Sequence, residues 1–299
     1  MFLSEHQTTI MNDAKLQIAI IGFNRADLLG LQVESLRRFI ASPFECFLVN
    51  NAPNLLHAQA LGKAARKAGI ASRDIALPSK AKGPSVNHGH ALNATFQMVY
   101  GMHDGIFLIL DHDMFLCRNL DVDELMSGYQ VAGGIQWRQR QRKVWYVWPN
   151  TIFLNMGLLP AQSCIDFTPD QRRHLDTGGK LTGYYQRPDV HVRPLLHTSR
   201  IHSSRGNLSY FPTKVLDYYD EDFACEFLGH YFLHYAVASG WTRFENERGD
   251  YQKRKKAFVE RFVKDCIDHD MWQSWIAERL TDVEFESRFS EQKLMESIR

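Results

Sequence analysis

The stretch IFLILDHDMFLC (residues 106–117) sets five apolar residues directly before two aspartates and a histidine. A continuous apolar run of this length predicts a strand buried on both faces of a parallel sheet, with its polar end where the strand leaves the core. In an extended chain, residues two apart point the same way, so Asp111 and Asp113 present carboxylates to one point while His112 faces elsewhere. Two convergent carboxylates suit a hard cation such as Mg²⁺ or Mn²⁺, which takes oxygen ligands and completes its shell with water and substrate phosphate. An Asp-x-Asp in isolation is more often a solvated turn or a helix cap. At the mouth of a central strand, unpaired charge is costly unless it is used.

Upstream, the chain alternates between two periodicities. LQIAIIGF (16–23) is an apolar, β-branched run ending in glycine and reads as the first strand. RADLLGLQVESLRRFI (25–40) spaces Leu28, Leu29, Leu36, Phe39 and Ile40 as a helix does, and FECFLVNNAPN (44–54) returns to strand and ends in a polar turn. A helix over 55–69, a short strand near DIAL (74–77), a glycine-bearing loop PSKAKGPSVNHG (78–89) and a helix from about 89 to 102 lead into the acidic strand. This alternation predicts an α/β fold: a mainly parallel sheet flanked by helices, with a ligand crevice at the carboxyl ends of its strands. NNAPN and DHD both fall on that rim.

Beyond residue 130 the pattern becomes irregular. AGGIQWRQRQRKVWYVWPNTIFLNM (132–156) is aromatic and basic, and FACEFLGHYFLHYAVASGW (223–241) reads as a mostly buried helix stopped by glycine. The tail from about 250 to 295 is charged and helical in character, beginning with QKRKK. It predicts a solvated helix packed on one side, and leaves room for peripheral membrane contact.

Composition narrows the classes of partner. The 299 residues are 44% hydrophobic and 12% aromatic, enough for a sizeable core, and 35 basic against 34 acidic side chains leave a formal charge of +1. That balance provides no global field for nucleic acid or an anionic membrane. The cysteines Cys46, Cys117, Cys164, Cys225 and Cys266 are odd in number and widely spaced, which fits a reducing compartment. No apolar stretch approaches the roughly 20 residues of a spanning helix, and the chain reads as cytoplasmic.

The order IAIIGFNR (18–25), FLVNNAPN (47–54), GPSVNHGHALNATFQMVYG (83–101), IFLILDHDMF (106–115) is similar to that of nucleotide-sugar-dependent glycosyltransferases of the GT-A fold, especially those like family 2. The resemblance covers about residues 16–117, with scattered matches to about 241. It implies a GT-A-like, Rossmann-like catalytic domain over 1–250, with a nucleotide-binding half (16–117), an irregular acceptor half (118–250) and a charged helical extension (251–299). It implies Phe23, Asn24 and Arg25 near the base or ribose, and Asn50 and Asn51 at the next rim. Asp111 and Asp113 would hold Mn²⁺ or Mg²⁺ against the phosphates of a UDP- or GDP-type sugar donor. His234, before YAVASGW, resembles the late histidine that completes the metal site in some of these enzymes. The chain departs from the family after its second strand, where an acidic residue is usual and NNAPN stands here.

An inverting transfer needs one carboxylate within reach of the acceptor hydroxyl. Asp176 in HLDTGGKL precedes two glycines, which let backbone approach a ligand closely, and resembles a DTGG turn of family-2-like sequences; a plain turn gives the same pattern. Asp220 and Glu221, followed by Asp222, resemble the family's acidic pair, but also read as a helix N-terminus. His230 and His234 would share a helical face with Glu226, a possible zinc arrangement, or be hydrogen-bonded helix residues. Arg138, Arg140, Arg142 and Lys143 alternate beside Trp137, Trp145 and Trp148, as a phosphate- and sugar-binding face or as a charge-protected edge strand.

These features read together as a metal-dependent glycosyltransferase acting on a saccharide or glycoconjugate hydroxyl. A nucleotidyltransferase would need a glycine-rich phosphate loop after the first strand, which GFNRADLLG matches poorly. A non-catalytic sugar-nucleotide or glycan-binding module would bind without metal dependence and without turnover.

Overall fold

The computed structural model describes residues 15–75, 83–138, 144–195, 197–198, 226–228, 231–235 and 249–270. Strand β1 (Leu16–Gly22) is followed by α1 (Ala26–Phe39), β2 (Phe44–Asn50), α2 (Leu55–Ala68), β3 (Ala71–Asp74), α3 (Pro84–Gln97) and β4 (Ile106–Asp111). After these come β5 (Met114–Leu116), α4 (Val122–Met126), β6 (Val131–Arg138), β7 (Val144–Asn155), α5 (Thr182–Tyr185), β8 (Val192–Leu195), β9 (His197–Thr198), β10 (Glu226–Leu228), β11 (Phe232–His234) and α6 (Gly249–His269).

Seven strands form one sheet in the order β3-β2-β1-β4-β7-β6-β8, in which β7 alone runs against the others. This is the α/β, mainly parallel class that the alternating pattern predicts. β1 and β4 are central, so successive residues are buried on opposite faces, and the continuous apolar runs follow from that placement. Ile18, Ile20, Leu108 and Leu110 pack with α1, α2 and α6 on one face, whereas Ala19, Ile21, Phe107 and Ile109 pack with α3 and β7 on the other.

Three expected elements differ. The helix before the acidic strand begins at Pro84 rather than near 89, because Gly83 takes φ 108 and Pro84 occupies the first turn, where a missing N–H costs nothing. The third strand is Ala71–Asp74 rather than 74–77. The expected buried helix over 223–241 is, where described, the hairpin β10–β11. A short apolar run cannot be told from a buried helix by periodicity alone, and here pairing decides: Phe232, Leu233 and His234 lie opposite Leu116, Phe115 and Met114. The result is a second, antiparallel sheet, β5-β11-β10-β9.

Helix α6 packs on α1 and on this smaller sheet through Val259, Phe262, Val263 and Cys266, which recur at three- and four-residue intervals and are fully buried. No helix among the described residues is long and apolar enough to cross a membrane.

Candidate active site

The registers bring the polar strand ends together. Asn50 lies opposite Gly22, and Asp111 opposite Ile21, so Phe23–Arg25, Asn50–Asn51 and Asp111–Asp113 share the carboxyl rim of β1, β2 and β4. A hollow lined by Lys15, Leu16, Ser42 and Ile106 lies at the opposite end of these strands and holds none of the rim carboxylates.

The acidic turn is clamped from within. Gln32 of α1, fully buried, donates from Nε2 to both the Asp111 and the Met114 carbonyls at 2.7 Å. His112 points back to the sheet, its Nδ1 3.2 Å from the Ile21 carbonyl oxygen, while its buried Nε2 has no partner among the described residues. Asp111 and Asp113 meet different partners. Asp111 Oδ1 lies 2.9 Å from His88 Nε2, and Asp113 Oδ2 lies 3.6 Å from His234 Nε2.

His88 comes from the second turn of α3. Burial pulls its pKa down, but Asp111, together with Asp176 and Asp113, outweighs burial and raises it above the ordinary histidine value. Burial also opposes charge on Asp113, yet His234, followed by His112 and Lys255, holds its carboxyl well below the usual range. Trp148 stands edge-on to the His234 ring at 5.1 Å.

Asp176 reaches the same rim from the far side of α3. Its Oδ1 accepts from the Ser85 hydroxyl and from the Thr177 amide, and the Thr177 hydroxyl donates to the Ser85 carbonyl at 3.0 Å. Gly178 makes this turn possible: it adopts φ 83, and a Cβ there would sit 3.3 Å from Pro149 Cδ.

The residues at the ends of β1 and β2 divide in their commitments. The Asn50 amide is engaged by the fold, donating to Asp74 Oδ1 at 2.8 Å and to the Ala58 carbonyl. Asn51 Oδ1 is buried without a partner among the described residues. Phe23 and Asn24 are half-buried beside them. Arg25 forks onto Asp27 at 2.9 and 3.0 Å and lies over the Tyr235 ring, which the buried Lys255 also approaches at 4.6 Å. Burial opposes the Arg25 charge, but its pairing with Asp27 prevails and raises its pKa.

Several expected residues are placed differently. His234 sits on a strand, so the helical face shared with Glu226 and His230 does not exist as expected; His230 itself lies outside the described residues. Asp220, Glu221 and Asp222 also lie outside them, as do Arg140, Arg142 and Lys143. Trp145 is a core residue stacked on Tyr185 and offers no face to a ligand. Strands β6 and β7 are flanked by β8 and β4 only over Val131–Gly134 and Thr151–Asn155, so the paired stretch Ile135–Arg138 with Val144–Val147, next to the basic alternation, has no further neighbour strand among the described residues. Reading from sequence missed His88, Ser85, Gln32 and Lys255. One signal was available for two of them, because Ser85 and His88 are three apart at the start of a helix and therefore share a face.

No three His, Cys, Asp or Glu side chains among the described residues converge to cage a metal ion. The rim instead offers carboxylate–imidazole pairs, Asp111 with His88 and Asp113 with His234. Mg²⁺ and Mn²⁺ are commonly held by one or two protein carboxylates together with substrate phosphate and water, so this donor set fits them.

No protein-family model and no curated protein matches the chain. Among solved structures it is similar to the mannosyltransferase PcManGT from Pyrobaculum calidifontis in complex with GDP-Man and Mn²⁺, at 14% identity and TM-score 0.40 over 60% of this chain and 53% of that one. It is also similar to glucosyl-3-phosphoglycerate synthase from Mycobacterium tuberculosis in complex with phosphoglyceric acid (15%, TM-score 0.41, 59% and 68%). A third match is galactosyltransferase LgtC in complex with donor and acceptor sugar analogues (10%, TM-score 0.39, 59% and 72%). The chain thus spans about half the length of the mannosyltransferase it matches. The matched proteins are GT-A glycosyltransferases. The α/β layout of this chain rests on its own strand order and registers.

Proposed function

We propose that the protein is a glycosyltransferase that moves a sugar from a nucleoside diphosphate sugar to a hydroxyl of a saccharide or glycoconjugate. The observation that carries this reading is that the registers bring Phe23–Arg25, Asn50–Asn51 and the acidic turn Asp111–Asp113 to one carboxyl rim of the parallel strands, with Asp111 paired to His88 at 2.9 Å. That rim is where ligands of open α/β sheets bind.

In this reading residues 16–117 bind the donor, 118–250 shape the acceptor side, and 251–299 form an extension. Phe23, Asn24 and Arg25 border the base and ribose. Asn51 is better placed than Asn50 to read the nucleotide, because the Asn50 amide already serves Asp74 and Ala58. Asp111 and Asp113 hold Mn²⁺ or Mg²⁺, with His234 beside Asp113. A bound ion supplies charge stabilisation of the departing diphosphate. Asp176 serves as general base: its hydrogen bonds among the described residues both fall on Oδ1, which leaves Oδ2 to take the acceptor's proton. Trp148, beside His234, borders the acceptor side.

Calorimetric titration of UDP and GDP, each with and without Mn²⁺, tests the reading. One nucleotide is expected to bind with metal alone, and Asp111→Asn/Asp113→Asn to abolish that binding. Binding indifferent to both metal and substitution would overturn it.

A further inference from the structure

We infer that the exposed face of α2 docks on an anionic lipid bilayer, with Leu55 and Leu56 entering the acyl boundary and Lys63, Arg66 and Lys67 lying against the head groups; this stands apart from the glycosyl-transfer reading of the rim. Leu55 and Leu56 are 72% and 73% exposed, the most exposed large apolar side chains among the described residues. A single exposed leucine is ordinary, whereas two side by side at the start of a helix leave a contiguous apolar tip in water.

The remaining exposed positions of α2 continue the same face. At about 100° per residue, Leu55, Leu56, Gln59, Ala60, Lys63, Arg66 and Lys67 fall within about 140° of the helix circumference, opposite the buried Leu61 and Ala65. No acidic residue stands between Glu45 and Asp74, so nothing along α2 offsets its cations. Arg37 of α1 extends the patch, its Nη2 lying 3.5 Å from the Gly69 carbonyl at the end of α2, and Glu34 is the one acid in the last two turns of α1. Charge alone would suit any polyanion. The leucine pair beside it selects a surface with an apolar interior beneath an anionic skin.

The basic start of the tail is the other place the sequence offers for membrane contact, and the fold takes it apart. Within QKRKK, Lys255 is buried over the Tyr235 ring, and Lys256 pairs with Asp27 at 2.7 Å and with Glu260. Lys253 and Arg254 stay exposed, but α6 adds no exposed large apolar side chain to them among the described residues. Helix α2 also opens directly after Asn50 and Asn51, so its leucine tip stands at the carboxyl-rim end and a docked bilayer flanks the candidate site.

Co-sedimentation of the full chain with sucrose-loaded vesicles tests this, with phosphatidylcholine alone and with phosphatidylcholine and phosphatidylglycerol in equal parts. Wild type is compared with Leu55→Ser/Leu56→Ser, Lys63→Gln/Arg66→Gln/Lys67→Gln and Lys253→Gln/Arg254→Gln, with circular dichroism confirming the fold of each. Wild type is expected to pellet with the anionic vesicles and not with phosphatidylcholine alone. The α2 cation variant should bind about a hundredfold more weakly, the leucine variant about tenfold or more, and the tail variant like wild type. Wild type that ignores anionic vesicles, or either α2 variant binding as wild type does, would overturn the docking face. Loss in the tail variant alone would assign the contact to α6 and overturn it as well. So would lipid-free self-association abolished by the leucine variant without any vesicle binding, which gives the face to a second copy. Nucleotide titration without lipid reads the rim separately, so either reading can fail while the other stands.

Discussion

Asp111 and Asp113 stand two residues apart but belong to two different pieces of the molecule. Asp111 ends a central strand of the seven-stranded sheet, stays partly open, and meets a histidine from α3. Asp113 precedes the first strand of the four-stranded sheet, is buried, and meets a histidine from β11, while its carbonyl accepts from the Tyr235 amide at 2.9 Å. One end of the motif is therefore built by residues within the first 111. The other is completed by chain more than a hundred residues downstream. A two-carboxylate motif can be local in sequence while its two halves are stabilised by separate parts of the fold.

The difference can be broken hardest at Phe232. It is fully buried, pairs opposite Leu116 and packs on Phe153 across the sheets. Phe232→Ala is expected to cost about 3–5 kcal/mol of stability in a urea titration. In the folded variant, nucleotide-dependent Mn²⁺ affinity should fall through the Asp113 side. A loss below about 1 kcal/mol would mean that the small sheet does not support the turn.

Gln32 tests the piece that joins both ends, since one amide serves both flanking carbonyls. Gln32→Met fills similar space but leaves two buried carbonyls short of a donor, with an expected cost of about 1–3 kcal/mol. The cost should fall towards the lower figure because Gln32 Oε1 already has no partner among the described residues. Unchanged stability would show that the turn holds without the clamp.

The smallest effect is expected at Asp27, which ties Arg25 on the carboxyl rim to Lys256 of α6. Burial raises its pKa, but bonds from Arg25 and Lys256 prevail and lower it from 3.8 to about 2. A depressed folded pKa contributes stability above the unfolded value and loses it as pH falls towards the folded one. Wild type should therefore lose stability between about pH 4 and pH 2 more steeply than Asp27→Asn, as read from melting temperature against pH. Because Asp27 is 40% exposed, solvent screens the pair and the difference should be slight. Parallel pH profiles would remove Asp27 as a link between α1 and α6.

The same division governs what could be read in advance. Strands β1, β2 and β4 were legible because both faces are buried, which forces apolar runs with polar ends, and their common direction then places those ends on one rim. The described parts of the expected helix over 223–241, Glu226–Leu228 and Phe232–His234, are strands instead: a short apolar run satisfies a buried helix and a strand equally, and the partner of β11, β5, is three residues long and over a hundred positions away. Asn50 looked like a ligand residue by position, yet register against β3 sets it opposite Asp74, where its amide is consumed. His88 went unnoticed because nothing in NHGHALN distinguishes a histidine on the rim face of α3 from one facing solvent.

Sequence alone determined the α/β class, the order of the first strands and the acidic rim, because these follow from periodicities of two and 3.6 residues and from the burial of a central strand. Tertiary structure alone decided which side chains meet there: His88 with Asp111, His234 with Asp113, Ser85 with Asp176. Those meetings depend on where α3, β11 and the Asp176 turn dock, and docking is set by packing between segments distant in the chain, which leaves no periodic trace in any one of them.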